Sequence, residues 1–237
     1  MTGSKIFGEP LPDWTPPPMP QAAVLKGRYA QLEPLNADAH ASGLHQANAA
    51  SDEIWNYLPY GPFSSLPAYH RWMRGVEGQN DPFFYAIRDL ETGALGGVAS
   101  FLRITPQSGS IEVGHINFSP ALQRTRAATE AMFLMMQWAF EAGYRRYEWK
   151  CDALNLASRR AAQRLGLSYE GVFRQATVYK GRNRDTAWFA AIDKEWPALK
   201  SAFSTWLSPD NFDTRGRQIE RLADLTALVR VADDPEL

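Results

Sequence analysis

IEVGHINFSPALQRTRAATEA, residues 111–131, joins a strand to the start of a long helix. The strand ends near Phe118, and the helix begins at Arg126 after a short turn. In that turn, Gln123-Arg124-Thr125 presents backbone N–H groups at the positive end of the helix dipole, and such amides bind anions. The charge of Arg124 strengthens the pattern. The segment therefore predicts a phosphate-binding turn, although an ordinary strand–helix connection has the same spacing.

The chain after this turn alternates helices and strands. The helix at 126–142 is almost continuously apolar, and its few polar residues keep to one stripe, so its other faces should be buried. Further elements are predicted as a strand at 145–151, a helix at 156–165 closed by Gly166, strands at 168–179 and 186–192, and helices at 195–207 and 217–231.

The chain before the turn contains two helices and then a block of strands. Short apolar runs separated by turn residues predict an antiparallel meander. The predicted elements are a strand at 28–35, helices at 37–50 and 66–77, and strands at 83–88, 95–104 and 110–118.

Together these elements predict an α+β fold with a mixed, mostly antiparallel central sheet flanked by helices. The late strand–helix–strand step requires a parallel or splayed pair of strands within that sheet. We divide the chain into a proline-rich extended arm at 1–27, a main domain at 28–207 and a C-terminal helical extension at 208–237. The arm is predicted to be a loose leader, with a segment that drapes over the domain or joins a partner as the alternative, and Trp14 is the side chain able to pin it down.

Composition narrows the class of protein. The chain has 237 residues, a formal net charge of −1 and one cysteine, Cys151. The balanced charge argues against a nucleic-acid partner, which would require an excess of basic residues. A single cysteine cannot form an intramolecular disulfide, and no segment reaches the roughly 20 apolar residues of a membrane span. We therefore expect a cytoplasmic protein without a membrane partner.

A second motif follows the strand at 145–151. Asn155 lies where a helix N-cap belongs, and Ser158 follows three residues later. On spacing alone, capping explains the asparagine. Cys151 lies in a strand without a supporting His/Asp pattern, which predicts a buried and inert thiol. The four histidines lack metal-ligand spacing, so we predict no metal.

Taken together, these motifs resemble the GNAT superfamily of acyl-CoA N-acyltransferases, and within it the RimJ/RimL-like branch. The phosphate-loop pattern Gln/Arg-x-x-Gly-x-Gly/Ala corresponds to residues 123–128, QRTRAA. The downstream pattern Asn-x-x-Ser…Leu-Gly-Phe corresponds to Asn155–Ser158 and to residues 165–167, LGL, while TEA at 129–131 and YEGVFR at 169–174 also match. The resemblance covers about residues 28–193.

The resemblance implies a splayed pair of strands, 111–118 and 145–151, with the pantetheine arm of acetyl-CoA in the gap. The pyrophosphate would meet the amides of the turn, and Asn155 would orient the arm or a bound water. The residues implied to bind acetyl-CoA are Ile116, Asn117, Phe118, Gln123, Arg124, Thr125, Arg126, Ala127, Ala128, Asn155 and Ser158.

Two positions depart from the superfamily pattern. Arg126 replaces the usual loop glycine, which questions how closely the backbone can approach a phosphate, although a guanidinium can itself bind phosphate. Ala162 stands where many members place a tyrosine acid. Its absence leaves Ser158 as the candidate acid that protonates the leaving thiolate.

Amine acetylation also needs a base and a donor to the thioester oxygen. Glu112 is the candidate base, acting through water, unless it is only a salt-bridged strand residue. His115 is the rival, unless it is structural. Regular alternation places it on the opposite face of the strand from Glu112, so at most one of the two should point into the cleft unless a bulge intervenes. A backbone N–H near Phe118 is the expected donor.

The acceptor side is expected to involve the aromatic segment at 54–63, which serves either as pocket or as core. The candidate acceptor-side residues are Trp55, Tyr57, Tyr60, Glu112 and His115. The basic turn at 180–184 would contact an acidic substrate or the 3′-phosphate of the cofactor, or would be a plain solvated hairpin.

The function implied is acetyl transfer from acetyl-CoA to a primary amine, either a protein N-terminus or a small molecule. A non-catalytic acyl-CoA-binding sensor is the alternative suggested by Arg126 and Ala162, and an aminoacyl-tRNA-dependent transferase is a third. The acceptor and the oligomeric state stay open, with a homodimer as one arrangement in which the arm and the C-terminal helix exchange.

Overall fold

A computed structural model describes residues 7–237 of the chain. Strand–helix order follows the predicted pattern closely. The elements are β1 (Leu25–Lys26), β2 (Ala30–Pro34), α1 (Ala37–Asn48), α2 (Leu66–Val76), β3 (Phe83–Asp89), β4 (Leu95–Thr105), β5 (Ser110–Phe118), α3 (Arg126–Glu141), β6 (Arg146–Asp152), α4 (Leu156–Arg164), β7 (Ser168–Tyr179), β8 (Arg182–Ile192), α5 (Trp196–Leu207) and α6 (Leu222–Ala227), with short 3-10 turns at Asp52–Trp55, Pro106–Ser108 and Pro209–Asn211.

The strands form one sheet in the order β1-β2-β3-β4-β5-β6-β8-β7. All neighbouring pairs are antiparallel except β5 and β6, which run parallel. The parallel pair arises because α3 carries the chain from the end of β5 back to the start of β6, the crossover that a strand–helix–strand unit requires. The predicted α+β class and mixed, mostly antiparallel sheet are confirmed.

Helices cover both faces of the sheet. The larger core lies between the sheet and α3, α4 and α5, and α3 contributes the buried Met132, Met135 and Met136 to it. A smaller core on the other face packs α1 and α2 against Phe84, Ala86 and Val98. The apolar character of α3 is explained by this burial, because nearly every one of its faces meets the sheet or another helix.

Two expectations about the ends of the chain need correction. The arm is not a loose leader over residues 7–27: Pro17 and Pro20 are buried, and the Tyr144 hydroxyl donates a 2.9 Å hydrogen bond to the carbonyl of Pro18. Trp14 does pin the arm, since the guanidinium of Arg145 lies 5.8 Å from its ring centre. The helix expected at 217–231 is only the six residues of α6, because the residues before it pair with an earlier turn: Gln218 forms a bridge with Phe212, and the N–H of Glu220 donates to Oδ1 of Asn211 at 2.7 Å.

Glu130, in the first half of α3, ties the helix to the start of the sheet. Its buried carboxylate accepts hydrogen bonds from the backbone N–H groups of Arg28 at 2.9 Å, Tyr29 at 2.5 Å and Ala30 at 2.7 Å. Gly27 allows this approach, because a Cβ there would lie 2.3 Å from the carboxyl carbon. The contact fixes the turn before β2 over the N-terminal half of α3.

Glu130→Ala should therefore destabilise the fold by about 3 kcal/mol, since three buried amides lose a charged acceptor. Chemical denaturation checks this. Glu141→Ala, on the same helix, is the matched control: Glu141 is exposed and makes surface contacts with Lys200 and Gln137, so a loss below about 1 kcal/mol is expected. Equal losses in both variants would contradict the role assigned to Glu130.

Candidate active site

The central feature of the site is an opening between β5 and β6. The two strands pair from Ser110↔Arg146 to Val113↔Trp149 and no further, although β5 continues to Phe118 and β6 to Asp152. Beyond that point each strand keeps only its outer neighbour, β4 or β8. We call this opening the wedge, between Gly114–Phe118 and Lys150–Asp152. It exposes main-chain polar groups that a bound molecule can satisfy.

The turn at the mouth of the wedge presents unpaired amides. The N–H groups of Arg124, Arg126 and Ala127 have no acceptor among residues 7–237. Thr125 caps α3, and its hydroxyl accepts the N–H of Ala128 at 3.0 Å, which removes that amide from the set. Arg124 adopts φ +62°, which turns the backbone into the helix. The remaining amides lie beside the positive end of a helix of 16 residues and suit an anion.

The side chain of Arg126 does not block this mouth. Its guanidinium lies 4.8 Å from the ring centre of Tyr29 and 4.9 Å from that of Phe212, and it pairs with Glu91. Arg126 is the first helical residue, so its helical backbone conformation needs no glycine. The loss of the loop glycine is therefore compatible with an open turn, and the guanidinium is engaged away from it.

A β-bulge in β5 changes the direction of its side chains inside the wedge. Gly114 pairs with Ser100 and Asn117 with Val98, so His115 and Ile116 together oppose Ala99. His115 takes up φ +51°, the left-handed conformation of the extra residue. Regular alternation is broken, and His115 joins Glu112 on the face that carries α1 and α2, where its ring centre lies 5.1 Å from that of Phe84. The expectation that the two residues take opposite faces does not hold.

Glu112 is almost fully buried within a charged cluster. Its carboxylate lies 2.7 Å from Nη1 of Arg103 and 3.0 Å from Nζ of Lys150. Lys150 in turn contacts Glu148 at 2.7 Å and lies 3.8 Å from the ring centre of Trp188. Burial raises the pKa of Glu112, and the two cations oppose that rise without cancelling it.

The aromatic segment covers the wedge on the same face. Trp55 belongs to the core beside α2, whereas Tyr57 is exposed and its hydroxyl donates to the carbonyl of Leu154 at 3.3 Å. The Tyr60 hydroxyl lies 3.2 Å from Nδ1 of His115, and the two rings stack. Nζ of Lys180 donates to the carbonyl of Trp55 at 2.8 Å. The segment thus meets β5, the loop before α4 and the β7–β8 turn.

Asn155 and Ser158 lie on the β6 side of the wedge. Oδ1 of Asn155 accepts the N–H of Ser158 at 3.1 Å, so the asparagine caps α4. Oγ of Ser158 accepts the indole N–H of Trp149 at 2.9 Å. Because that bond occupies an oxygen lone pair, the hydroxyl keeps its hydrogen for donation, and the neighbouring thiol of Cys151 is one acceptor for it.

Cys151 borders the same space and is buried. Burial raises the pKa of its thiol to about 11, while a hydrogen bond from Ser158 and the charge of Arg184 lower it by less. The thiol is therefore protonated at neutral pH, as expected of an inert cysteine. No group of three or more His, Cys, Asp or Glu side chains suited to a metal occurs in the part of the chain that the structure describes.

His115 should make the fold acid-sensitive. Burial, with the charges of Arg103 and Arg184, lowers its pKa from 6.5 to about 4. Between these pH values the unfolded chain binds a proton that the folded chain does not, so stability falls as the pH drops through this window by roughly 3 kcal/mol. The difference in unfolding free energy between wild type and His115→Gln should shrink by that amount from pH 7 to pH 4. A constant difference would contradict this assignment.

Comparison with known proteins identifies the architecture. The acetyltransferase (GNAT) domain family matches residues 31–168, more than half of the chain. The chain belongs to the GNAT acetyltransferase family. A GCN5-related N-acetyltransferase from Brucella melitensis is 44% identical, with a TM-score of 0.89 over 92% of this chain and 100% of that one.

Other GNAT structures share the fold. A GNAT-family acetyltransferase from Chromobacterium violaceum is 40% identical, with a TM-score of 0.77 over 84% of this chain and 100% of that one. RimL, a ribosomal L7/L12 α-N-protein acetyltransferase solved with coenzyme A, is 20% identical, with a TM-score of 0.59 over 72% of this chain and 98% of its own. The predicted GNAT resemblance is confirmed, and the RimL fold agrees with the branch that the motifs suggested.

The candidate site includes residues that the motifs at 123–128 and 155–158 did not indicate. Lys150, Arg103 and Trp149 enter from strand positions next to the predicted ones, and the alternation of polar residues along β6 was a signal for Lys150. Arg184 belongs to the basic segment at 180–184, for which the sequence left an acidic substrate, a cofactor phosphate and a solvated hairpin open, and in the structure it lies on β8. Within residues 7–237, no helix has the length and apolarity to cross a bilayer.

Proposed function

We propose that this GNAT acetyltransferase transfers the acetyl group of acetyl-CoA to a primary amine by direct attack in a ternary complex. The observation that carries the proposal is the wedge, with unpaired amides at its mouth and charged side chains on one face. Direct attack suits these residues, because burial raises the pKa of the one cysteine to about 11, so its thiol is a poor nucleophile.

Two separate features of the site fit acetyl-CoA, one for its diphosphate and one for its pantetheine arm. The diphosphate would take the free N–H groups at Arg124, Arg126 and Ala127, where the helix dipole favours an anion. The amide groups of the pantetheine arm would pair with the strand edge at Ile116–Phe118, which β6 has left unpaired. RimL, which has the same fold, is solved in complex with coenzyme A, and this supports coenzyme A as the class of ligand.

Acetyl transfer forms a new C–N bond and breaks the C–S bond of the thioester. The amine must reach the site unprotonated, and the sulfur leaves as a thiolate that takes up a proton. In our proposal a main-chain N–H near Phe118 stabilises the carbonyl oxygen, and Ser158 donates the proton to the thiolate. The indole of Trp149, at 2.9 Å, orients the Ser158 hydroxyl for donation.

Two observations bear on the role of Glu112 as the base that acts through water: the first supports that role, and the second supports a structural one. Burial raises the pKa of its carboxyl, which brings it nearer to that of a useful base. Arg103 and Lys150 both contact the carboxylate, as in a structural ion pair. His115 is the rival, since its lowered pKa keeps it neutral and Tyr60 holds its ring.

Loss of the acidic limb of the pH–rate profile in Glu112→Gln, but not in His115→Gln, would identify Glu112.

The test is an acceptor screen with purified protein. Acetyl-CoA binding is measured by calorimetry, and thiol release is followed with amino acids, polyamines, aminoglycosides and peptides with free N-termini. Turnover with at least one amine, with its acetylated product found by mass spectrometry, supports the proposal. Tight acetyl-CoA binding without turnover on any amine would instead favour an acyl-CoA sensor.

A further inference from the structure

A guanidinium without an ionic partner lies beside the wedge. Arg184 is on β8, and Nε of its side chain is buried without a hydrogen-bond partner among residues 7–237. No carboxylate within the described part of the chain lies within 4.0 Å of it. Buried donors are normally satisfied, so this one requires an explanation.

The strand register places Arg184 on the same face as Glu112 and His115. In β8, Ala187 and Phe189 point into the core beneath α3, whereas Trp188 points the other way, under Lys150. Alternation sets Arg184 on the Trp188 side. Its guanidinium lies 5.8 Å from the ring centre of Tyr179, whose hydroxyl donates to Asp152 at the end of β6.

The positive charge of Arg184 affects titratable side chains on both strands of the wedge. Burial is the main cause of the lowered pKa of His115 on β5, and the charge of Arg184 adds to it; on β6 the same charge opposes the burial that raises the pKa of Cys151. The nearby carboxylates are occupied: Asp152 accepts from Leu154 and Tyr179, and Asp185 accepts from Gln175 and Asn183. A cation with this placement is available to an incoming anion.

We infer that Arg184 is a specificity-determining residue that binds a carboxylate of the acceptor, so the favoured substrates are amines that carry a carboxylate. This inference rests on the proposed function. A planar guanidinium matches a carboxylate with two parallel hydrogen bonds. A phosphate of the cofactor shares that chemistry, but the free amides that suit it lie at the start of α3, which packs on the other face of the sheet.

The experiment compares matched acceptors that differ only in a carboxylate. The probes are free amino acids against their amides, and peptides beginning with Asp or Glu against the same peptides with Asn or Gln. The measured quantity is the ratio of kcat/KM for the acid over that for the amide. We expect a preference for the acid, which Arg184→Gln reduces roughly 10- to 100-fold, the range for a lost charged hydrogen bond.

Arg182→Gln is the matched control, because Arg182 is exposed in the same hairpin and the variant loses the same charge. It should keep the acid preference. Arg184→Gln should also keep the melting temperature of the wild type, since Arg184 has no ion pair to lose. A lower melting temperature together with an unchanged ratio would make Arg184 structural and overturn the inference.

The remaining outcomes separate the inference from the proposed function. Equal turnover of acids and amides by the wild type overturns the inference and leaves amine acetylation standing. A rise in KM for acetyl-CoA in Arg184→Gln, absent with dephospho-acetyl-CoA, would assign Arg184 to the cofactor phosphate and also overturn it. No turnover on any amine removes the proposed function and the inference with it.

Discussion

Ser158→Ala should lower kcat at least 100-fold while the affinity for acetyl-CoA changes less than threefold. The expectation follows from general acid catalysis, which contributes roughly 10²- to 10⁴-fold when the donor is positioned. Ser158 is positioned on both sides: Asn155 caps its N–H, and Trp149 donates to its oxygen. Steady-state kinetics and calorimetric titration of acetyl-CoA measure the two quantities.

Two further variants test the positioning. Trp149→Phe removes the indole donor but keeps an aromatic ring, and kcat should fall about tenfold because the hydroxyl is no longer oriented. Ser158→Thr retains a hydroxyl and should restore part of the activity lost in Ser158→Ala. An equal loss of turnover and acetyl-CoA affinity in Ser158→Ala would make Ser158 a binding residue.

Asp234→Ala should destabilise the protein by about 3–5 kcal/mol, because it removes the one buried carboxylate that pairs with the buried guanidinium of Arg159 within residues 7–237 and leaves it only the exposed Glu236. Arg159 and Asp234 are buried, with side chains 1% and 0% exposed. Their two hydrogen bonds are 2.7 Å and 2.6 Å long, and they join α4 to the C-terminal segment. For a chain of this size the melting temperature should fall by roughly 6–20 °C.

Glu236→Ala is the control for Asp234→Ala. Glu236 also contacts Arg159, but its side chain is 64% exposed, so the expected loss is below about 1 kcal/mol. Differential scanning calorimetry of the two variants separates a buried pair from an exposed one. Similar melting temperatures for the two variants would contradict the large contribution to stability that we assign to Asp234.

The positions of most elements could be predicted from periodicity. The long helix after residue 125 and the strands on either side of it carry their burial pattern in consecutive residues, so local sequence specifies them. The capping role of Asn155 could also be predicted from local sequence, because its capping hydrogen bond spans only three residues. The motifs at 123–128 and 155–158 indicated the GNAT family for the same reason: each is contiguous.

Contacts between distant segments could not be predicted in this way. The bulge at His115 depends on how β5 pairs with β4, and it moved His115 to the face of Glu112 against the alternation rule. The buried partners of Glu130 lie about one hundred residues away, at the start of β2. Such pairings depend on how all the strands of the sheet are arranged, so no local sequence pattern predicts them.

The sequence by itself determined the order of helices and strands, the apolar character of α3 and the turn motif that identifies the family, because each depends on neighbouring residues. Only the tertiary structure decided which side chains meet: Arg126 lies between Tyr29 and Phe212, and Arg184 lies beside the wedge with no carboxylate partner among residues 7–237. These outcomes depend on burial and on charges brought together from separate elements, and both exist only once the sheet has formed.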